Sequence, residues 1–127
     1  MFYFNKWLWH YLEMKKLIVL LLLSPLAFSS ERAINQAWCS SIGGNIEFRT
    51  KDGTYVDCLT NEYAIEAEYD NKWKEGIGQS LHYAESTNKK AGILFIKRAK
   101  SRKDYYNEMM RVINRYDLPI KVFVIEE

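Results

Sequence analysis

Residues 55–83, YVDCLTNEYAIEAEYDNKWKEGIGQSLHY, decide how the rest of the chain is read. They read as a strand, a tight turn, a second strand and then a helix. Asp57 sits on the first strand, and Glu66 and Glu68 lie two apart on the second. Side chains alternate across a strand, so Glu66 and Glu68 share one face while Ile65 and Ala67 share the other. A two-residue turn at Asn61-Glu62 sets Asp57 opposite Glu66 on that face, and a slip of one residue sends Asp57 to the other side. Three carboxylates on one patch repel one another unless a cation or protons relieve them.

The helix that follows adds polar groups. Lys72, Gln79 and Tyr83 are spaced by seven and four residues, which at about 100° per residue puts them on one stripe. Trp73, Ile77, Leu81 and Ala84 form the neighbouring stripe and are expected to face the sheet. His82 falls off the polar stripe and reads as exposed and uninvolved. The helix is expected from Asp70, its N-cap, to about Glu85.

Working outward, Glu31–Ile42 reads as a first helix, with Ser30 as N-cap and Gly43-Gly44 as its stop. Ala33, Ala37 and Ser40, beside Ile34, Trp38 and Ile42, give it an apolar flank. Glu31 in its first turn complements the helix dipole. Asn45–Thr50 alternates as a strand, and the Asp-Gly within residues 51–54 marks a hairpin turn. Beyond the central helix, Gly92–Lys97 is a nearly continuous apolar run suited to a strand buried on both faces. Ser101 and Asp104 resemble the start of a capping box for a helix reaching about Arg115. Asp117-Leu118-Pro119 stops it, and Ile120–Ile125 is a last strand. The order is αβββαβαβ. A helix between the meander and GILFIK implies a crossover, so the fold class is α/β with a central mixed sheet flanked by helices.

The first 29 residues read as an address. Met14-Lys15-Lys16, the apolar run Leu17–Leu23 and the small residues before a cut after Ser29 have the form of a signal peptide. The apolar run is too short to favour a spanning helix. The preceding MFYFNKWLWHYLE leaves two alternatives, a start at Met14 or a longer aromatic-rich membrane segment. Residues 30–127 are then enough for one small domain. They hold 15 Lys and Arg against 15 Asp and Glu, so a strongly basic nucleic-acid footprint is absent. Two cysteines remain, Cys39 and Cys58. An even count in an exported protein implies one disulfide, with two buried thiols as the alternative. Cys58 has the opposite parity to Asp57, so a bridge pins the first helix to the sheet's other face.

An Asp on one strand, a Glu-x-acid pair on the next and a helix carrying Gln79-Ser80-Leu81-His82-Tyr83 together resemble the PD-(D/E)XK, or restriction-endonuclease-like, nuclease superfamily. The resemblance runs from Glu31 onward and implies that fold. It also implies a metal-dependent nuclease acting on DNA or RNA with Mg²⁺ or Mn²⁺. By resemblance, Asp57, Glu66 and Glu68 are metal ligands and Glu31 is a further metal-site glutamate. Glu68 stands where the family carries its lysine, and by the same resemblance Lys72 would supply the catalytic cation. Gln79 and Tyr83 would contact the nucleic-acid backbone or orient the carboxylates, with an ordinary helix surface and a Tyr83 half-buried against the sheet as the alternative.

Hard oxygen ligands suit such ions, and a solvated charged sheet face is the plain alternative. Lys97, Arg98, Lys100, Arg102 and Lys103 form one basic cluster, suited to a phosphate backbone or to a solvated loop. Histidine-based metal sites, CxxC pairs, Ser/His/Asp sets and glycine-rich phosphate loops are absent from the sequence. A second function class stays open, a binding or interaction module that keeps the nuclease fold without hydrolysis. The displaced lysine and the neutral domain charge favour that class.

Overall fold

Alternation in Tyr55–Leu59 (β2) and Tyr63–Tyr69 (β3) produces an antiparallel hairpin from which the sheet grows on both sides. The computed structural model describes residues 10, 11, 13 and 30–127. Apart from those first three positions, the expected signal peptide or membrane segment and the choice between Met1 and Met14 lie outside the described residues. The remaining elements are α1 (Glu31–Ser41), β1 (Asn45–Arg49), a 3-10 turn (Asp70–Lys72), α2 (Trp73–Thr87), β4 (Lys90–Lys97), α3 (Tyr105–Arg115) and β5 (Ile120–Glu126). Their order is the αβββαβαβ read from the sequence.

The five strands lie in the order β1-β2-β3-β4-β5. The first three form an antiparallel meander, and β3, β4 and β5 run parallel, so the sheet is mixed. Parallel neighbours need crossovers, and α2 and α3 supply them. Both crossover helices pack on one face, where Trp73, Ile93, Phe95, Met109 and Ile113 form a core. On the other face α1 packs Cys39, Ile34 and Trp38 against Ile65, Ala67, Leu94 and Ile96. Every residue from Ala91 to Ile96 in β4 is buried, as its apolar run predicts for a central strand.

Cys58 pairs with Ile65 and Leu59 with Ala64, and the Thr60 N–H donates to the Tyr63 carbonyl across a two-residue turn. This is the register that sets Asp57 opposite Glu66. Cys39 and Cys58 are bridged, with Cα atoms 5.7 Å apart and no exposure, on the α1 side. The bridge ties α1 to β2.

Several boundaries differ from the sequence reading, each for a local reason. Asp70 does not cap α2. Its carboxylate turns to Arg98, accepting from Nε at 2.8 Å and from the backbone N–H at 3.3 Å, and so ties the end of β3 to the end of β4. The start of α3 is capped by Asp104, which accepts from the Asn107 N–H at 3.1 Å, rather than by Ser101. In α1 the buried residues are Asn35 and Cys39, while Ala33, Ala37 and Ser40 are exposed. Asn35 is buried because its Nδ2 donates to the Asp57 carbonyl at 2.9 Å.

Candidate functional site

The hairpin ladder between β2 and β3 ends where Asp57 begins to use its side chain. Its Oδ2 accepts from the Ala67 N–H at 2.9 Å, so a carboxylate stands where a strand partner would stand. On the far side of β2, Glu47 faces Asp57 in the β1 register and adopts a φ of +51°. A non-glycine residue in the left-handed region interrupts the pleat, and the ladder skips this pair. Asp57 therefore lies at a point where the strands part.

Four acids come together there. Glu66 and Glu68, on β3, are 6% and 5% exposed. Glu66 hydrogen-bonds Asp57, and Glu68 hydrogen-bonds Glu31. A hydrogen bond between two carboxyl groups needs a proton, which belongs to the pair. Burial pushes Glu66 up to about 10, and the charges of Asp57, Glu68 and Glu31 add to the shift. Burial also raises Glu68 to about 8, helped by Glu31 and opposed by the charge of Lys72. Asp57 is raised by burial too, against the Ala67 hydrogen bond that favours its charged form. One oxygen, Glu66 Oε2, is buried with no hydrogen-bond partner.

Glu31 reaches this cluster from α1, on the opposite side of the sheet. Its Oε2 also accepts from the Tyr69 N–H at 3.3 Å. The first turn of α1 thus meets the end of β3, with Ser30 Oγ capping the helix by accepting from the Ala33 N–H.

α2 covers the acids with small residues. Its buried positions are Trp73, Gly76 and Ser80, and a Cβ added at Gly76 would stand 3.4 Å from Glu68 Cγ. The expected stripe of Lys72, Gln79 and Tyr83 does not form as one surface. Lys72 belongs to the 3-10 turn before the helix, so helical spacing does not start from it, yet its charge acts on Glu68. Tyr83 is half-buried against Val56, Leu59 and Ala64. Burial pushes its hydroxyl up to about 12, with the charges of Glu66, Asp57 and Asp52 adding to it, which places Tyr83 beside the cluster. Gln79 is exposed.

Two participants escaped the sequence reading. His82 is not uninvolved, because its Nε2 lies 3.0 Å from Asp52 Oδ2 and fastens the β1–β2 hairpin tip to α2. The Thr50 and Thr54 hydroxyls and the Thr54 N–H hold that Asp52 carboxylate well below its ordinary range. Glu47 is a further acid whose charge acts on Asp57, and Arg32 pairs with it at 2.7 Å. Carrying the β1 register through the Asp-Gly turn would have pointed to Glu47.

The donor set is hard oxygen throughout. Its oxygens meet in pairs, Asp57 with Glu66 and Glu68 with Glu31. Among the described residues no group of three or more His, Cys, Asp or Glu side chains is arranged to hold a metal ion. Paired carboxylates suit an ion such as Mg²⁺, which is held by one or two carboxylates and keeps several waters. The buried, unpartnered Glu66 oxygen is the atom that such an ion would meet.

Together the fold and the cluster define an α/β domain with a buried acid group at the parting of two strands. Compared with known proteins, the chain matches no family model and no solved structure. It is 32% identical over 93 residues to one protein of Acanthamoeba polyphaga mimivirus, covering 73% of this chain. It is 41% identical over 66 residues to a second, covering 52% of this chain. Both are named as KilA-N domain-containing proteins. The matches span 37% and 18% of those relatives' lengths.

Proposed function

We propose that this domain is a metal-dependent nuclease of the restriction-endonuclease-like type, hydrolysing phosphodiester bonds in DNA or RNA. The observation that carries the reading is Glu66, buried beside Asp57 with one oxygen unpartnered and a proton held far above its ordinary range. Asp57 and Glu66 would hold the ion, with Glu68 and Glu31 as the second carboxylate pair. Such an ion, Mg²⁺ or Mn²⁺, would lower the pKa of its water and offset charge on the phosphate. The chain's own residues do the rest. The Ala67 N–H fixes the Asp57 carboxylate, and the Lys72 ammonium, close enough to act on Glu68, supplies positive charge for the phosphate. Tyr83 stays protonated at neutral pH and so offers a hydroxyl donor beside Glu66 and Asp57. Exposed Gln79 is free to contact the nucleic-acid backbone. Kinship with viral KilA-N domain-containing proteins supports a nucleic-acid partner. The buried disulfide supports an exported domain that matures in an oxidising compartment.

A second reading has its own observation, that Glu68 occupies the place of the family's lysine while Lys72 sits in a turn. On that reading the domain binds nucleic acid or a protein without cutting. The experiment is cleavage of single- and double-stranded DNA and RNA by purified protein with Mn²⁺ or with EDTA. A nuclease cuts only with the ion, and Asp57→Ala and Glu66→Ala each abolish cutting. Lys72→Ala should lower the rate about 100-fold, the size typical of losing one charge-stabilising group, while Mn²⁺ binding by calorimetry is retained. No cleavage and no Mn²⁺ binding would leave the binding module.

A further inference from the structure

The basic run over residues 97–103 is left unused by the acid cluster. β4 ends at Lys97, and the chain turns through residues 98–104 before α3 begins. Beside that turn lies a cavity of about 290 Å³ whose wall includes Phe95, Lys97, Ser101, Arg102, Lys103 and Tyr106. Two carboxylates also line it, and both are committed elsewhere. Asp70 is held by Arg98, at 2.8 Å from Nε and 3.3 Å from the backbone N–H. Asp104 accepts from the Asn107 backbone N–H at 3.1 Å and from Asn107 Nδ2 at 2.6 Å.

The cations, by contrast, are available. Lys97 makes an exposed pair with Glu126 at 3.3 Å, and Lys103 an ion pair at 3.0 Å with the half-buried Glu108. Such surface pairs are weak because solvent and salt screen them, so a phosphate competes for the cations. Arg102 makes no ion pair among the described residues, while the buried Ser101 hydroxyl lies beside Asp70 and helps to keep that carboxyl charged. Guanidinium and ammonium donors around one small cavity match the oxygens of a phosphate, which Arg engages through two parallel N–H groups.

The location ties this cavity to the acids. Phe95 in its wall is the β4 register partner of Glu68 on β3. Adjacent strands lie about 4.8 Å apart, so the cavity begins one strand away from the carboxylate cluster.

We propose that this cavity is a phosphate subsite of the same nucleic-acid site, holding one phosphate of the strand whose other phosphate lies at the acids. The assignment rests on the nucleic-acid reading above, and the test is made without metal so that the two can fail separately.

The full-length protein in EDTA is titrated with inorganic phosphate and with short DNA oligonucleotides bearing 5′-phosphate, 3′-phosphate or hydroxyl ends. NMR amide shifts report on residues 97–106. Shifts confined to this segment and the Arg102 side chain are expected. Arg102→Ala should weaken oligonucleotide binding about tenfold, as for one charge-assisted contact, and lower the salt slope by about one. Lys100→Ala, the same charge lost from the same loop but outside the cavity wall, should change affinity little. Tighter binding of a phosphorylated end identifies a terminal monoester, and equal binding of all three identifies an internal diester; either supports the subsite. Equal weakening by Arg102→Ala and Lys100→Ala overturns it, because the loop then acts only as diffuse charge. Shifts with inorganic phosphate but none with oligonucleotides overturn the nucleic-acid assignment. Cleavage activity is scored separately. A protein that cuts with Mn²⁺ while Arg102→Ala binds normally keeps the nuclease and loses the subsite, and an inactive protein that passes the binding test keeps the subsite.

Discussion

Glu66 fixes how the stability of the fold responds to pH. In the unfolded chain it ionises near its ordinary 4.5, whereas in the fold it keeps its proton to about 10. Below pH 4.5 both states are protonated and the group imposes no penalty. As pH rises from there towards 10, only the unfolded state releases the proton, so unfolding becomes progressively favoured. Glu68, raised to about 8, acts in the same direction over the lower part of that window. The melting temperature in EDTA should therefore fall between pH 5 and pH 9. Glu66→Gln keeps the shape and removes the ionisation, so it should flatten the profile and gain about 1–3 kcal/mol at pH 9, the scale of an unsatisfied buried group. With Mn²⁺ the wild-type slope should shrink or reverse while the variant gains little, because the ion stabilises only the state that binds it. A wild-type profile that rises with pH in EDTA would contradict the assigned burial of this carboxyl. Asp57, Glu66 and Glu68 could be placed from the sequence because strand alternation and a two-residue turn fix parity and register together. Glu47 was within reach of the same register argument, but its left-handed backbone, φ +51°, is announced by no local pattern.

α2 is an element whose packing was read half correctly. Trp73 and Ile77 do face the sheet, but the line of closest approach runs through Gly76 and Ser80, with Ser80 fully buried. A search for apolar residues passes over small ones, and small ones are what a helix needs when it lies over carboxylates. The same counting placed Lys72 on the helix, whereas Asp70 is drawn to Arg98 by a contact distant in sequence and the chain takes a 3-10 turn first. Glycines give the sharpest test of these surfaces. Gly78 has nothing within 4 Å of its missing Cβ and sits on the exposed side of α2. Gly78→Ala should stabilise the domain by about 1 kcal/mol through helix propensity alone. Gly44 is the opposite case, since a Cβ there would lie 2.5 Å from Cys58 Sγ and 2.6 Å from Cys39 Sγ. Gly44→Ala must displace a buried disulfide and should cost about 1–3 kcal/mol. Urea melts of both variants at one pH give the two signs. A stable Gly44→Ala protein would mean that the α1–β1 connection yields more easily than its packing implies.

At the scale of the whole molecule, α1 stands on one face of the sheet and serves a site on the other. Three contacts make this possible: the disulfide to β2, the Asn35 hydrogen bond to the Asp57 carbonyl and the Glu31 hydrogen bond to the Tyr69 N–H. The 19-residue separation of Cys39 and Cys58 makes the bridge worth about 3 kcal/mol in the chain-entropy account. Replacing both cysteines by Ala should therefore lower stability by roughly that amount. A purely structural bridge predicts nothing more. If α1 positions the acids, a second effect follows, because loosening it withdraws Glu31 from Glu68 and the Asn35 amide from the backbone of Asp57. The stabilisation gained on adding Mn²⁺ should then fall in the double variant, as it should in Glu31→Gln, which leaves the bridge intact. Comparing the Mn²⁺-induced shift in melting temperature for wild type, Glu31→Gln and the double Ala variant separates the two roles. Equal shifts in wild type and the double variant would show that the Trp38–Phe123 ring contact, with centroids 5.3 Å apart, and the rest of the α1 packing suffice to hold the helix over the site. A shift lost in both variants would make the bridge part of how the acids are kept together.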